Sequence, residues 1–81
     1  MARSRRKQPK RLARKLLAIR NGLGLSQTQM AKRLELKVSY TVVSAFERGK
    51  QEPDLTTLLR YARLVRVSVE TLIDDKLSLP K

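Results

Sequence analysis

The side chains equipped to act on a ligand are nearly all cationic. Arg3, Arg5, Arg6, Lys7, Lys10, Arg11, Arg14, Lys15 and Arg20 crowd the first twenty residues, where no acid occurs. Residues 21–51 carry five basic and two acidic side chains, and residues 52–81 carry five of each. Of the net charge of +12, nine units therefore lie in the first twenty residues and none in the last thirty. Such an excess calls for a polyanionic partner, and its placement leaves the other end free for packing or association. Chemistry of other kinds finds little to work with. There is no His and no Cys, so the commonest general base, the commonest metal ligand and the thiolate nucleophile are all missing. Gly22, Gly24 and Gly49 do not fall into a phosphate-binding loop, and the seven acids show no paired-carboxylate or metal-ligand pattern. The expectation is a binding protein, not an enzyme, with no cofactor, no metal and no small-molecule ligand.

Eighty-one residues make one small domain, for which compact helix packing or oligomerisation is the available route to stability. No apolar run approaches the ~20 residues of a membrane span. The basic start before LARKLLAI resembles a signal peptide only on the surface, because Arg14, Lys15 and Arg20 interrupt the apolar region. A cytoplasmic address, in a bacterium or encoded by a phage, is expected.

The elements that must hold these side chains read as five short helices. Residues 1–8 form a flexible basic arm without apolar periodicity. Pro9 suits the first turn of a helix, in which Leu12, Leu16, Ile19 and Leu23 share one face with Arg and Lys opposite. Asn21-Gly22 and Gly24 stop it. Ser26 is placed to cap a second helix with Met30, Ala31 and Leu34 inward; Ser39 is placed to cap a third, where Val43 and Phe46 share a face and Gly49 ends the run. Asp54 caps a fourth, striped by Leu55, Leu58, Leu59, Ala62 and Val65, and Ser68 caps a fifth with Val69, Leu72 and Ile73. Residues 9–75 form the domain and 76–81 a tail. The β-branched run LKVSYTVVSAF alternates loosely, like a strand. Its helix penalty, however, is only a few tenths of a kcal/mol per residue, which packing of Val43 and Phe46 offsets.

"LSQTQMAKRL … SAFERGKQEPDLTTLLRYARLVRVSVETL" resembles the lambda-repressor-like, Cro/Xre-type helix-turn-helix family. Leu25-Ser26-Gln27, Ala31, Phe46-Glu47-Arg48-Gly49-Lys50, Pro53 and Val67-Ser68-Val69 carry the likeness together. It implies an all-α, five-helix domain whose third helix enters the DNA major groove while the second crosses the backbone. It places Tyr40, Thr41 and Ala45 as base-reading positions, with Ser44 and Arg48 close enough to assist. Gln27 and Thr28 at the start of helix 2, and Gly49 and Lys50 after helix 3, fall to phosphates. Arg20 and Glu47 correspond to an ion pair tying helix 1 to helix 3. What it implies overall is a sequence-specific, double-stranded DNA-binding transcriptional regulator, a repressor working as a homodimer. The alternative is an antitoxin or adaptor whose main partner is a protein such as a toxin.

The residue chemistry stands beside this. Gln27 follows a cap, where free amides and the helix dipole favour a phosphate. Thr41 can bond a base edge or touch a thymine methyl, Tyr40 can reach a phosphate or a base edge, and Ala45 offers only a methyl. That surface lacks bidentate Gln or Asn, so DNA shape, water and the arm (Arg3, Arg5, Arg6, Lys7, Lys10, Arg11) are expected to share in specificity. The apolar, charge-balanced end (Val67, Val69, Leu72, Ile73, Leu77, Leu79) is assigned to the dimer contact.

Two departures from the family pattern stand out. Ser26 to Glu47 spans 21 positions, two more than is usual, and the turn glycine is replaced in Leu34-Glu35-Leu36-Lys37-Val38-Ser39. Ser39 caps better than Lys37, so a lengthened turn is expected. Arg66 stands where a glycine often ends helix 4, which would cost roughly 1 kcal/mol if its φ is positive.

Overall fold

The computed structural model describes residues 9–37 and 40–80. Among them are five helices and no strand: α1 (Leu12–Leu23), α2 (Gln27–Arg33), α3 (Thr41–Glu47), α4 (Leu55–Leu64) and α5 (Val69–Ile73). Of the run that alternates like a strand, Thr41 to Phe46 lie in helix α3. Helix α1 packs on α3 and α5, α2 on α3, and α4 on α5.

Most helix starts follow from local chemistry. Ser26 Oγ accepts from the Gln29 amide at 3.0 Å while Gln29 returns its Oε1 to the Ser26 amide at 2.8 Å, a reciprocal capping box. Asp54 accepts from the Thr57 amide and Ser68 from that of Thr71. Helix α3 is the exception: its N-cap, Tyr40, already has helical angles and makes no side-chain cap bond. The cap assigned to Ser39 lies outside the described residues.

Helix α1 has no cap of its own sequence either. Its first free amides, Lys10 and Arg11, donate to the carboxylate of Asp75, each at 2.9 Å. The Arg11 guanidinium donates to the Asp75 carbonyl at 2.8 Å and to Ser78 Oγ at 3.0 Å. One carboxylate from the far end of the chain therefore satisfies donors that water or a local side chain would otherwise take. Leu79 packs on the core from the same segment. The tail after residue 75 thus lies against the domain, and Arg11, assigned to the arm, is hydrogen-bonded to it.

The core gathers Leu12, Leu16 and Ile19 of α1, Met30 and Ala31 of α2, Leu34, Val43 and Phe46, Leu58, Tyr61 and Ala62 of α4, and Leu72 of α5. Two expectations fail here. The α4 stripe turns toward Thr57, Leu58, Tyr61 and Ala62, leaving Leu55 77% and Leu59 38% exposed. Both faces share Leu58 and Ala62; the inward one carries Tyr61, set edge-on to Phe46 with centroids 6.4 Å apart. Lys15, assigned to the polar face of α1, is buried instead. Its ammonium donates to the carbonyls of Thr71 at 2.7 Å and Asp74 at 2.9 Å, closing the C-terminal end of α5.

Candidate nucleic-acid interface

Helix α3 buries Val43 and Phe46 and turns Tyr40, Thr41, Ser44, Ala45 and Arg48 away from them. These five positions recur at the spacing of a single helical face. Tyr40, Thr41 and Arg48 are exposed, and Ser44 and Ala45 half-buried. The Arg48 side chain leans back, its Nε donating to the Ser44 carbonyl at 3.4 Å.

The C-terminal half of α3 is held by a three-helix polar node. Arg20 of α1 makes a bidentate pair with Glu47 of α3, Nε to Oε2 at 2.7 Å and Nη2 to Oε1 at 3.0 Å. Its Nη1 donates to the Leu25 carbonyl at 3.0 Å, and Gln27 Nε2 of α2 donates to Glu47 Oε1 at 3.1 Å. The Glu47 side chain is only 4% exposed. Its carboxylate is therefore matched donor for acceptor, as a buried charge requires. Hydrogen bonding to Glu47 raises the Arg20 pKa against the opposing effect of burial. Gln27 thus has its amide nitrogen committed inside the protein.

Gly49 and Lys50, assigned to phosphates, follow directly on α3. With φ of +72°, Gly49 turns the chain so that its amide donates to the Phe46 carbonyl and that of Lys50 to Ala45 at 2.9 Å. Both amides thus serve the end of α3, and the Lys50 side chain is exposed. At the start of α2, the amides of Gln27 and Thr28 lie ahead of the first intrahelical partner, and Thr28 is exposed. Of the basic arm, Arg3, Arg5, Arg6 and Lys7 lie outside the described residues.

The apolar end sorts itself by burial. Leu72 is fully buried and is core, not dimer contact, because α5 is short enough to need it inward. Val67, Val69 and Leu79 pack against the same core, which leaves Ile73 at 42% and Leu77 at 38% exposed.

Sequence reading missed Glu35 and Arg60. Glu35 takes φ of +58°, and the following Leu36 amide donates to the Ala31 carbonyl at 3.0 Å, closing α2 as a glycine would. Arg60 of α4 donates to the Leu34 carbonyl at 2.9 Å and lies 3.6 Å from the Glu35 carboxylate. The missing turn glycine was the signal for the first; nothing local pointed to the second.

No helix among the described residues is long and apolar enough to cross a membrane. No group of three or more His, Cys, Asp or Glu that could hold a metal occurs among them.

A five-helix domain with α2 and α3 braced in this way is a lambda-repressor-like helix-turn-helix domain. A helix-turn-helix family model matches residues 16–72, and the chain belongs to that family, of Cro/C1 type. The antitoxin HigA1 of Mycobacterium tuberculosis is 34% identical over 67 residues, covering 83% of this chain. The chain spans 44% of that relative's length. Among solved structures, SinR, a master regulator for biofilm formation, in complex with DNA aligns with a TM-score of 0.66 at 25% identity, over 78% of this chain and 98% of the other. The P22 c2 repressor bound to a synthetic operator aligns with a TM-score of 0.70 at 23% identity, over 85% and 98%, and supports the fold.

Proposed function

We propose that this chain is a sequence-specific double-stranded DNA-binding transcriptional repressor that reads operator half-sites with α3 in the major groove. One observation carries the reading: α3 sends Val43 and Phe46 into the core while Tyr40, Thr41, Ser44, Ala45 and Arg48 stay outward, on a chain of charge +12. The SinR complex with DNA supports it from outside. In the proposed mode α2 lies across the backbone, with the start of the helix at Gln27 and Thr28 and the Lys50 ammonium against phosphates. The first eight residues add arm contacts to the same strand or the adjoining groove. Thr41 and Arg48 supply the polar base contacts, Tyr40 an edge or phosphate contact, and Ala45 room for a thymine methyl.

Two copies joined through Ile73 and Leu77 would present two α3 helices to half-sites about 34 Å apart, one turn of the duplex. The protein would act in the cytoplasm, where its operator lies. Selection from random duplexes at physiological salt tests the reading directly. An enriched pseudo-palindrome is expected; a chain that enriches no sequence overturns it. The name of HigA1 supports a second role, in which a toxin-like protein is the main partner and DNA contact is secondary.

A further inference from the structure

We propose that the outward face of α4 is a self-complementary docking surface for a second copy of this chain, through which copies on neighbouring DNA sites hold one another. That DNA brings the copies together rests on the reading of α3 as the recognition helix; the contact itself does not. With Leu58, Tyr61 and Ala62 turned into the core, Leu55 and Leu59 stand outward one helical turn apart. Leu55 is the most exposed large apolar side chain among the described residues. Arg63, also exposed, continues the same row. None of these is a side chain assigned to half-site pairing, which falls to Ile73 and Leu77.

Charge selects the occupant. Along α4 it runs from acid to base: Asp54 stands at the N-cap, and Arg60, Arg63 and Arg66 follow in the second half and at the exit. Residues 52–81 carry five cations, and three of them gather at this one helix end. Asp54 is exposed, and Thr57 above all, with the Arg60 charge adding to it, keeps its carboxyl below the ordinary range and hence ionised. Glu52, half-buried and engaged within its own chain, adds charge at the acidic end. Arg60 is committed to the Leu34 carbonyl at 2.9 Å, which leaves Arg63 as the cation on the apolar row. A face that is acidic at one end, apolar in the middle and basic at the other fits a copy of itself turned antiparallel, as a two-fold axis requires. With the axis level with position 57, Leu55 faces Leu59 of the second copy. Asp54 then lies three residues, about 4.5 Å of helix rise, from the level of its Arg63. Both pairs recur on the other side of the axis. An acidic helix from another protein would satisfy the arginines and be repelled by Asp54; a second copy answers both ends. Two leucines a side fall well short of the roughly 1,200 Å² of a stable complex. The contact is therefore weak in free solution and counts where one duplex raises the effective concentration to about 1 mM.

Two measurements on the full chain test it. In the DNA-free protein, raising the concentration to about 1 mM should move the amide NMR signals of Leu55, Leu59 and Arg63 more than the rest. Leu59→Ser and Arg63→Glu, both at exposed positions, should abolish that movement, and Arg63→Lys should keep it. On duplexes carrying two copies of the selected operator, the second site should fill about tenfold more tightly than the first. The gain should rise and fall with site spacing over about 10 bp, one turn of the duplex. Leu59→Ser and Arg63→Glu should remove it and leave single-site affinity and salt slope unchanged. Signals that do not move with concentration, or that move only at Ile73 and Leu77, overturn the proposal. So does a single-site salt slope lower by about 0.9 in Arg63→Glu, the mark of a phosphate partner. Movement of the α4 signals by an acidic, leucine-rich helical peptide without self-association gives the face to another protein and overturns it too. Self-association with no gain at the second site overturns the link to DNA. A wild-type chain with no preferred duplex overturns the recognition reading, while the DNA-free series still decides the contact.

Discussion

At the scale of single residues, the core contains one polar atom out of place. Tyr61 is fully buried, and its hydroxyl has no hydrogen-bond partner among the described residues. Burial, with the Glu47 charge adding to it, pushes its phenol far above the ordinary value, so it stays protonated throughout the accessible pH range. An unpaired buried hydroxyl costs about 1–3 kcal/mol, whereas the ring itself fills the core. Tyr61→Phe should therefore match the wild type or gain about 1 kcal/mol in urea unfolding; a loss of that size would show a partner for the hydroxyl. Lys15 makes the contrast. Burial lowers its pKa, with the Arg11 charge adding to the effect and Asp75 and Asp74 opposing it. Yet its ammonium serves the Thr71 carbonyl and shares the Asp74 carbonyl with the Leu77 amide, and Lys15→Ala should cost about 1–3 kcal/mol on the same measurement.

Elements bring the backbone into play. Four helix ends close with a residue at positive φ: Gly24 and Gly49 without strain, Glu35 and Arg66 with it. At Arg66, φ is +57°, its amide donates to the Arg63 carbonyl, and Val67 donates to Ala62. The helix thus ends in the family's way with the wrong residue for it. Arg66→Gly should raise stability by about 0.5–1 kcal/mol, less than the full strain because glycine also frees the unfolded chain. Arg66→Ala, which keeps the Cβ, should gain nothing. Helix ends also separate what is legible in the sequence from what is not. Ser26, Asp54 and Ser68 were readable as caps because a cap is a local bond over three residues. The cap of α1 was not, since its acceptor, Asp75, lies 64 positions from Arg11. The inward face of α4 was ambiguous for a related reason: both candidate stripes obey the helical period, and only the position of Phe46 chooses Tyr61.

For the molecule as a whole, the carboxylates that cap helices tie stability to acid. The amide of Arg11 above all, then that of Lys10, holds Asp75 below the ordinary carboxylate range, and the amide of Thr57 does the same for Asp54. A depressed folded pKa means that the unfolded chain binds protons first as pH falls. The stabilisation is therefore complete above about pH 4, the unfolded value, and is lost as pH drops through the lower folded values. Asp75→Asn should flatten the acid side of a stability-versus-pH curve and detach the tail from α1; an unchanged curve would deny Asp75 that part. The charge of the chain gives a second whole-molecule outcome. Removing residues 1–8 should weaken binding to all duplexes alike and flatten the salt slope by about 0.9 for each phosphate no longer neutralised. Loss of the preferred site only would instead mark the arm as a reader of sequence.

The order of helices, the caps of α2, α4 and α5 and the outward face of α3 were determined by the sequence by itself, because helical period and capping act between near neighbours. So was the concentration of positive charge at one end, which needs no coordinates. Tertiary structure decided what depends on contacts between distant segments. It turned Lys15 inward to close α5, drew Arg11 and the tail into the body, and withdrew Leu72 from the apolar end left for association. It also spent the amides of Gly49 and Lys50 on the end of α3 and set Arg60 against the end of α2. Hydrogen-bond partners 26 to 67 positions apart follow from packing geometry, which no local pattern of residues encodes.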